Sequence, residues 1–144
     1  MRHGIGYRKL GRESSHRKAL LRNLATSFLT HGKVNVTISK AKELRPIVEK
    51  LITTAKENNL NSRRKVHSVL FSKEAINHLF EVAGSRMSKR PGGYTRITRF
   101  GKRLGDGAEM CNLELVDYHD HEGKAKRELK EQKAKKEEAA NEGS

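Results

Sequence analysis

Positively charged side chains crowd the start of this sequence. Residues 1–22 contain seven Lys and Arg and a single acid, Glu13. Fixed cations on a flexible backbone suit contact with phosphates, and the glycines and serines between them allow close approach. The start of a helix at Ser15 would add free N–H groups that favour an anion, whereas a merely solvated terminus usually mixes both signs. We therefore interpret the segment as nucleic-acid-binding, with the candidate contacts Arg2, His3, Arg8, Lys9, Arg12, Ser15, His16, Arg17, Lys18 and Arg22.

A second basic segment spans residues 86–103, which hold seven Lys and Arg and no acid. Pro91-Gly92-Gly93 makes a turn with little side-chain bulk, and Tyr94 is placed to stack on a base or ribose. An aromatic residue at the start of a strand is, however, more often part of the core or its rim. The absence of compensating acid favours binding over a solvated loop. The candidate contacts are Arg90, Gly92, Gly93, Tyr94, Arg96, Arg99, Lys102 and Arg103.

The run Arg63-Arg64-Lys65 forms a third basic spot at the head of a predicted helix. Three cations at this position oppose the helix dipole. Nearby phosphates would resolve the conflict, but charge alone leaves a solvated helix head equally open. Arg63 and Arg64 are kept as candidate RNA contacts.

Catalytic and metal-binding patterns are weak. His119 and His121 flank Asp120 in a spacing that metals accept, but they lie at the edge of a charged, low-complexity tail. Cys111 alternates with Leu113 and Leu115, which indicates a small buried hydrophobic residue. The sequence has no phosphate-binding loop and no nucleophile elbow. We expect no catalytic residue, no metal, no cofactor and no small-molecule substrate.

The overall charge points to an anionic partner. The chain of 144 residues has 31 Lys and Arg against 17 Asp and Glu, a formal net charge of +14. The longest apolar runs, 19–21 and 69–71, have three residues, far short of the roughly 20 that a membrane-spanning helix needs. The charged start lacks the apolar core of a secretory signal, and a lone cysteine suits a reducing compartment. We therefore expect a cytoplasmic protein on nucleic acid, with no membrane.

Periodicity predicts the elements that position these residues. A first helix is expected from a cap at Ser14 or Ser15 to His31, with Gly32 as its stop. Alternation predicts a strand over 33–39, after which Ser39 would cap a second helix. Pro46 lies inside that helix and predicts a kink or a late start. The apolar stripe of the second helix consists of Leu44, Ile47, Val48, Leu51, Ile52 and Ala55.

The remaining chain predicts two short helices and two strands. The third helix starts at Asn61 or Ser62, and the fourth runs from a cap at Ser72 to a stop at Gly84. Strands are expected over 94–100 and 110–116, joined by a long hairpin loop. The fold class is therefore α+β, with helices packed on a small three-stranded sheet in the order α-β-α-α-α-β-β. We divide the chain into a flexible basic arm (1–14), one domain (15–116) and a charged low-complexity tail (117–144).

The sequence also resembles the bacterial large-subunit ribosomal protein seventeen family over residues 1–116. The matching blocks are MRH, KLGR, SSHRKALLRNLATSFLTHGKV, SKAKELRPIVEKLI, NSRRKV, KEAINHLF, RPGGYTRI and GDGAEMCNLELV. Residues 4–7 are less basic than is usual in this family, and 117–144 extend past its shared core. No role is carried over to either stretch.

The resemblance implies a structural constituent of the large (50S) ribosomal subunit. It implies binding to the large-subunit (23S) ribosomal RNA near the polypeptide exit region, through the arm (2–22) and the basic loops (90–103). Neighbouring large-subunit proteins are the other implied partners, and no homo-oligomer is expected. From the residues alone, two alternatives stay open: an architectural or regulatory DNA-binding module, and an enzyme that acts on RNA.

Overall fold

The computed structural model of the protein describes residues 6–116. It confirms an α+β fold in the predicted order of helices and strands. The three strands form one antiparallel sheet in the order β1-β3-β2. The elements are α1 (Ser14–His31), β1 (Lys33–Thr37), α2 (Ile38–Lys56), α3 (Leu60–Val69), α4 (Lys73–Glu81) with a π-helical turn (Val82–Arg86), β2 (Thr95–Lys102) and β3 (Glu109–Leu115).

Helix α1 covers the predicted residues but begins differently. Glu13, in extended backbone, is the N-cap, and its carbonyl accepts the first helical hydrogen bond from Arg17 at 2.8 Å. A cap at Ser14 or Ser15 is therefore wrong by one or two residues. The end is as predicted, because Gly32 adopts φ 72° and its N–H donates to the Phe28 carbonyl at 2.7 Å. That left-handed conformation favours glycine.

Strand β1 ends two residues before the expected boundary, and Thr37 instead of Ser39 is the N-cap of α2. The late start expected from Pro46 is also wrong, since α2 runs through Pro46. Pro46 has no backbone N–H to donate within the helix. Burial of the apolar side chains of α2 stabilises the helix by more than this missing hydrogen bond costs. Ala41 and Leu44, which precede the proline, are both fully buried in the core. Five of the six stripe residues are buried, and Ile47 is half-buried.

Helix α3 begins at Leu60, ahead of the expected Asn61 or Ser62, because a capping box fixes the preceding residue. The Asn59 side chain accepts from the Ser62 N–H at 2.6 Å, and the Ser62 hydroxyl accepts from the Asn59 N–H at 3.1 Å. These two bonds satisfy two of the backbone N–H groups that the helix start leaves without an intrahelical partner.

Helix α4 starts as predicted at the Ser72 cap, but Gly84 does not end it. The chain continues as the π-helical turn, which the Met87 N–H closes on the Val82 carbonyl at 3.0 Å. Val82, Ala83 and Met87 are all buried. Burying these three side chains favours another turn more strongly than the glycine favours a stop.

The sheet covers the core with one face. Val36, Cys111 and Leu113 are buried beneath the helices, and the register pairs Val36 with Cys111. Both hairpin strands are displaced by one or two residues from the expected bounds. A bulge between Arg99 and Gly101 takes up one residue, which sequence alternation does not reveal. Cys111 is the predicted buried hydrophobic residue, and burial raises the pKa of its thiol.

Candidate RNA-binding surface

The described part of the arm, residues 6–13, has no helix or strand and lies against α1 and α2. A tight turn brings the Arg12 N–H to 3.2 Å from the Lys9 carbonyl, with Leu10 and Gly11 at positive φ. The Arg8 guanidinium lies 3.6 Å from the Glu43 carboxylate on α2. Arg2 and His3 lie outside the described residues. The flexibility expected for 1–14 stays a prediction.

Arg17 holds this part of the arm on the body. Its guanidinium carbon lies 3.9 Å from the centre of the Tyr7 ring, and Nη1 lies 3.7 Å from the second Glu43 oxygen. Nη1 also donates to the Arg8 carbonyl at 3.3 Å. Its side chain is only 22% exposed. Sequence reasoning treated Arg17 as a phosphate contact, whereas its geometry suits positioning of the arm.

The other candidates on the arm and α1 divide by exposure. Arg12 and Arg22 are half-buried and donate to the carbonyls of Leu10 (2.9 Å) and Ser68 (3.3 Å). The exposed candidates are Arg8, Lys9, Ser15, His16 and Lys18. These five are the side chains that the fold presents to a partner.

Helix α2 clamps the basic loop before β2. Glu49 Oε2 accepts from the Tyr94 N–H at 3.2 Å, and Oε1 accepts from the N–H (3.1 Å) and hydroxyl (2.8 Å) of Thr95. Two helical turns further on, Lys56 Nζ donates to the Arg90 carbonyl at 2.6 Å. A carboxylate and an ammonium of one helix thus fix both ends of the turn that contains Gly92 and Gly93.

Tyr94 belongs to the core and not to the binding surface. Its side chain is 1% exposed, and its hydroxyl donates to the Pro91 carbonyl at 3.4 Å. The proposed stacking of this ring on a base is therefore a wrong prediction. Gly92 and Gly93 are exposed, and Gly93 adopts φ 68°. The turn leaves their backbone open to close approach.

The arginines of β2 do not share a face. The register places Arg96 opposite Glu114 on the open face of the sheet, whereas Arg99 lies opposite Cys111 on the helix side. Both are exposed. Successive strand residues alternate between faces, so the basic segment presents charge in two directions.

Arg103 is neutralised within the hairpin. Its Nε and Nη2 donate to the two oxygens of Asp106, in a bidentate pair whose Nε–Oδ1 distance is 3.0 Å. The pairing lowers the pKa of the Asp106 carboxyl to about 2 and raises the pKa of Arg103. Asp106 lies three residues beyond the acid-free segment 86–103, so the charge count of that segment did not include this partner of Arg103. Lys102 is exposed.

Arg63 and Arg64 lie in the second turn of α3, because the helix begins at Leu60. The conflict with the helix dipole is therefore smaller than the sequence suggested, since that field fades within the first turn. Arg63 lies 4.6 Å over the Phe80 ring and donates to Asn58 Oδ1 at 2.9 Å. Arg64 is exposed on the same turn.

Exposed aromatic residues are the feature that sequence reasoning missed. Phe71 is 69% exposed in the break between α3 and α4, and Phe100 protrudes at the bulge of β2. The signal available in the sequence was an aromatic residue within two positions of Lys73 in one case and directly after Arg99 in the other. Aromatic rings among cations are typical of surfaces that bind nucleic acid bases.

Two features are absent from residues 6–116: a cluster of metal-binding side chains and a membrane-spanning helix. No three His, Cys, Asp or Glu side chains in this range come close enough to hold a metal ion. No helix in the same range is long and apolar enough to cross a membrane. His119 and His121 lie outside the described residues.

The fold and surface define a class: a small α+β protein that presents many cations on exposed loops and helix faces. Comparison with known proteins identifies the family. The family model described as "Ribosomal protein L17" matches residues 20–116, and the chain belongs to this family. Because the members of this family are ribosomal proteins, membership confirms that the chain is a structural component, as the sequence predicted, and not an enzyme.

Curated relatives support the same assignment. A Bacteroides fragilis protein named "Large ribosomal subunit protein bL17" is 49% identical over 126 residues, which cover 88% of this chain and 78% of the relative. Proteins of the same name from Halothermothrix orenii and Rickettsia bellii are each 52% identical. These matches cover 76% of this chain and 96% of the relative in the first case, and 81% and 82% in the second.

Proposed function

We propose that this protein is a structural constituent of the large (50S) ribosomal subunit that binds and stabilises 23S ribosomal RNA. The observation that carries the proposal is the set of exposed cations on the arm, α1, α3 and β2 of a chain whose relatives are named as large-subunit proteins. The position near the polypeptide exit region follows from the family resemblance. The protein acts in the cytoplasm, within the ribosome.

The proposed RNA contacts fall into two groups. Exposed cations bind phosphates directly, while Arg17 and the Glu49–Lys56 clamp position the segments that carry them. Gly92 and Gly93 allow the backbone to approach the RNA, and Arg2 and His3 extend the arm. The proposed direct contacts are the exposed side chains of Arg8, Lys9, His16, Lys18, Arg64, Arg96, Arg99 and Lys102, together with the half-buried Arg90.

Neighbouring large-subunit proteins are the second class of proposed partner, and we propose that the chain does not form a homo-oligomer. A DNA-binding module that uses the basic helix α1 in a helix-turn-helix unit is disfavoured by the chain order. In a helix-turn-helix unit a second helix follows the first, whereas β1 follows α1 in this fold.

Sedimentation tests the proposal. The tagged full-length chain is expressed in cells and followed across a sucrose gradient at increasing KCl. We expect it to migrate with large subunits and to stay bound at moderate salt. Recovery with free cytosolic protein would overturn the proposal.

Binding of the purified chain to large-subunit ribosomal RNA is the second test. The logarithm of the association constant should fall linearly with the logarithm of salt concentration, by about 0.7–0.9 per phosphate contacted. Equal affinity for duplex DNA at physiological salt would favour the DNA-binding alternative.

A further inference from the structure

A cavity of about 310 Å³ lies between α1, α2 and α3. Leu21, Ile47 and Val69, one from each helix, form its apolar lining. Leu21 is buried, whereas Ile47 and Val69 keep part of their surface exposed. Cavities of this size, with an apolar lining and a few polar groups, are typical of sites for small ligands.

The rim of this cavity is cationic. Arg17, Lys18 and Arg22 of α1 border it, and no acidic side chain lines it. A second hollow of about 250 Å³ shares Ile47 and Val69 and adds Lys50 and Lys65. An apolar lining below a ring of positive charge is complementary to a nucleotide, whose base has apolar faces and whose phosphate is anionic.

An exposed aromatic ring extends the site. The Arg22 guanidinium carbon lies 4.8 Å from the centre of the Phe71 ring, and Nη2 donates to the Ser68 carbonyl. The guanidinium is thus held in place between the cavity and the ring. Unstacked RNA bases bind to such aromatic rings and to arginine planes.

We propose that this cavity receives one unpaired nucleobase of the ribosomal RNA. The adjacent base stacks on Phe71, and the phosphates between them contact the exposed Lys18. The proposal rests on the proposed function and specifies that α1 binds a single-stranded loop or bulge. An acidic protein segment is the other conceivable occupant, but the exposed ring beside an arginine favours a base.

A cavity-filling variant, Ile47→Trp, tests the proposal without removing charge. Binding to large-subunit ribosomal RNA is measured across a KCl series. We expect about tenfold weaker binding with an unchanged salt slope, because the stacking of one base is lost while no phosphate contact changes. Phe71→Ala, a surface change that should not disturb the fold, is expected to weaken binding to a similar extent.

Leu60→Trp is the matched control. Leu60 is exposed and lines neither hollow, so its replacement should leave the affinity unchanged. If both Ile47→Trp and Phe71→Ala bind like the wild type, with the normal salt slope, the cavity proposal fails while the proposed function stands. If the wild type shows no salt-dependent RNA binding, the proposed function itself fails.

Ultraviolet cross-linking of purified large subunits identifies the occupant directly. Mass spectrometry should find unpaired nucleotides attached to peptides that contain Leu21 or Phe71. Chemical cross-links from Lys18 and Lys65 to an acidic protein segment, without RNA adducts on these peptides, would overturn the proposal.

Discussion

Glu49 and Thr95 join α2 to the first residue of β2. The Glu49 carboxylate accepts both the backbone N–H (3.1 Å) and the hydroxyl (2.8 Å) of Thr95 through one oxygen. Its other oxygen accepts from the Tyr94 N–H. Because these residues are 46 positions apart, this contact fixes the basic loop on the helical layer.

Replacement of Glu49 should destabilise the protein. Glu49→Gln weakens three hydrogen bonds to a charged acceptor, so we expect the free energy of unfolding to fall by about 1–3 kcal/mol. Urea denaturation measures the change. Glu109→Gln, which removes an exposed acid at the start of β3, serves as the control. Equal stability of the two variants would contradict the clamp.

Tyr94→Phe should affect stability but not RNA binding. It removes the hydroxyl that contacts the Pro91 carbonyl and Lys56, so a loss of about 1 kcal/mol is expected in thermal unfolding. The ring is buried, and the affinity for ribosomal RNA should stay at the wild-type value. A large loss of affinity in a stably folded variant would reinstate Tyr94 as an RNA contact.

Arg17 and Lys18 are neighbours with different expected roles. Lys18→Gln should lower the salt slope of RNA binding by about 0.7–0.9, because one phosphate contact is lost. Arg17→Gln should instead release the arm from its contacts with Tyr7 and Glu43. Limited trypsin digestion should then cleave after Arg8 and Lys9 faster in Arg17→Gln than in Lys18→Gln. Equal cleavage rates would show that Arg17 does not anchor the arm.

Asp106 should titrate far below an ordinary aspartate. Its pKa of about 2 in the folded protein lies below the 3.8 of an unpaired aspartate. The stabilisation from its pair with Arg103 is therefore complete above about pH 4 and is lost as the pH falls toward 2. Carboxyl chemical shifts across pH 1.5–6 measure the midpoint. A midpoint near 4 would show that the pair does not persist in solution.

Cys111 should react slowly in the folded protein. Its thiol is buried, its pKa is raised, and Sγ donates to the Val36 carbonyl at 3.3 Å. Thiolate is the reactive form, so iodoacetamide should label native protein far more slowly than protein in 6 M urea. Similar rates in the two conditions would contradict burial of this residue.

The sequence by itself determined the fold class and most element positions. Apolar residues at helical spacing, such as Leu44 to Ala55 on α2, have one stable arrangement in water, with the stripe turned inward. Gly32 and Ser72 marked their helix boundaries through local chemistry that needs no distant partner. The concentration of charge on the arm and in 86–103 was likewise readable, because composition is local.

Only the tertiary structure decided which cations are presented and which are already paired. Glu43 meets Arg17 and Arg8, and Asp106 meets Arg103, through folding of the chain and the hairpin. The continuation of α4 past Gly84 likewise depends on burial against other elements. The cavity between α1, α2 and α3 exists only where three helices meet. Charge and spacing are properties of the chain, whereas pairing and concavity depend on which distant residues become neighbours.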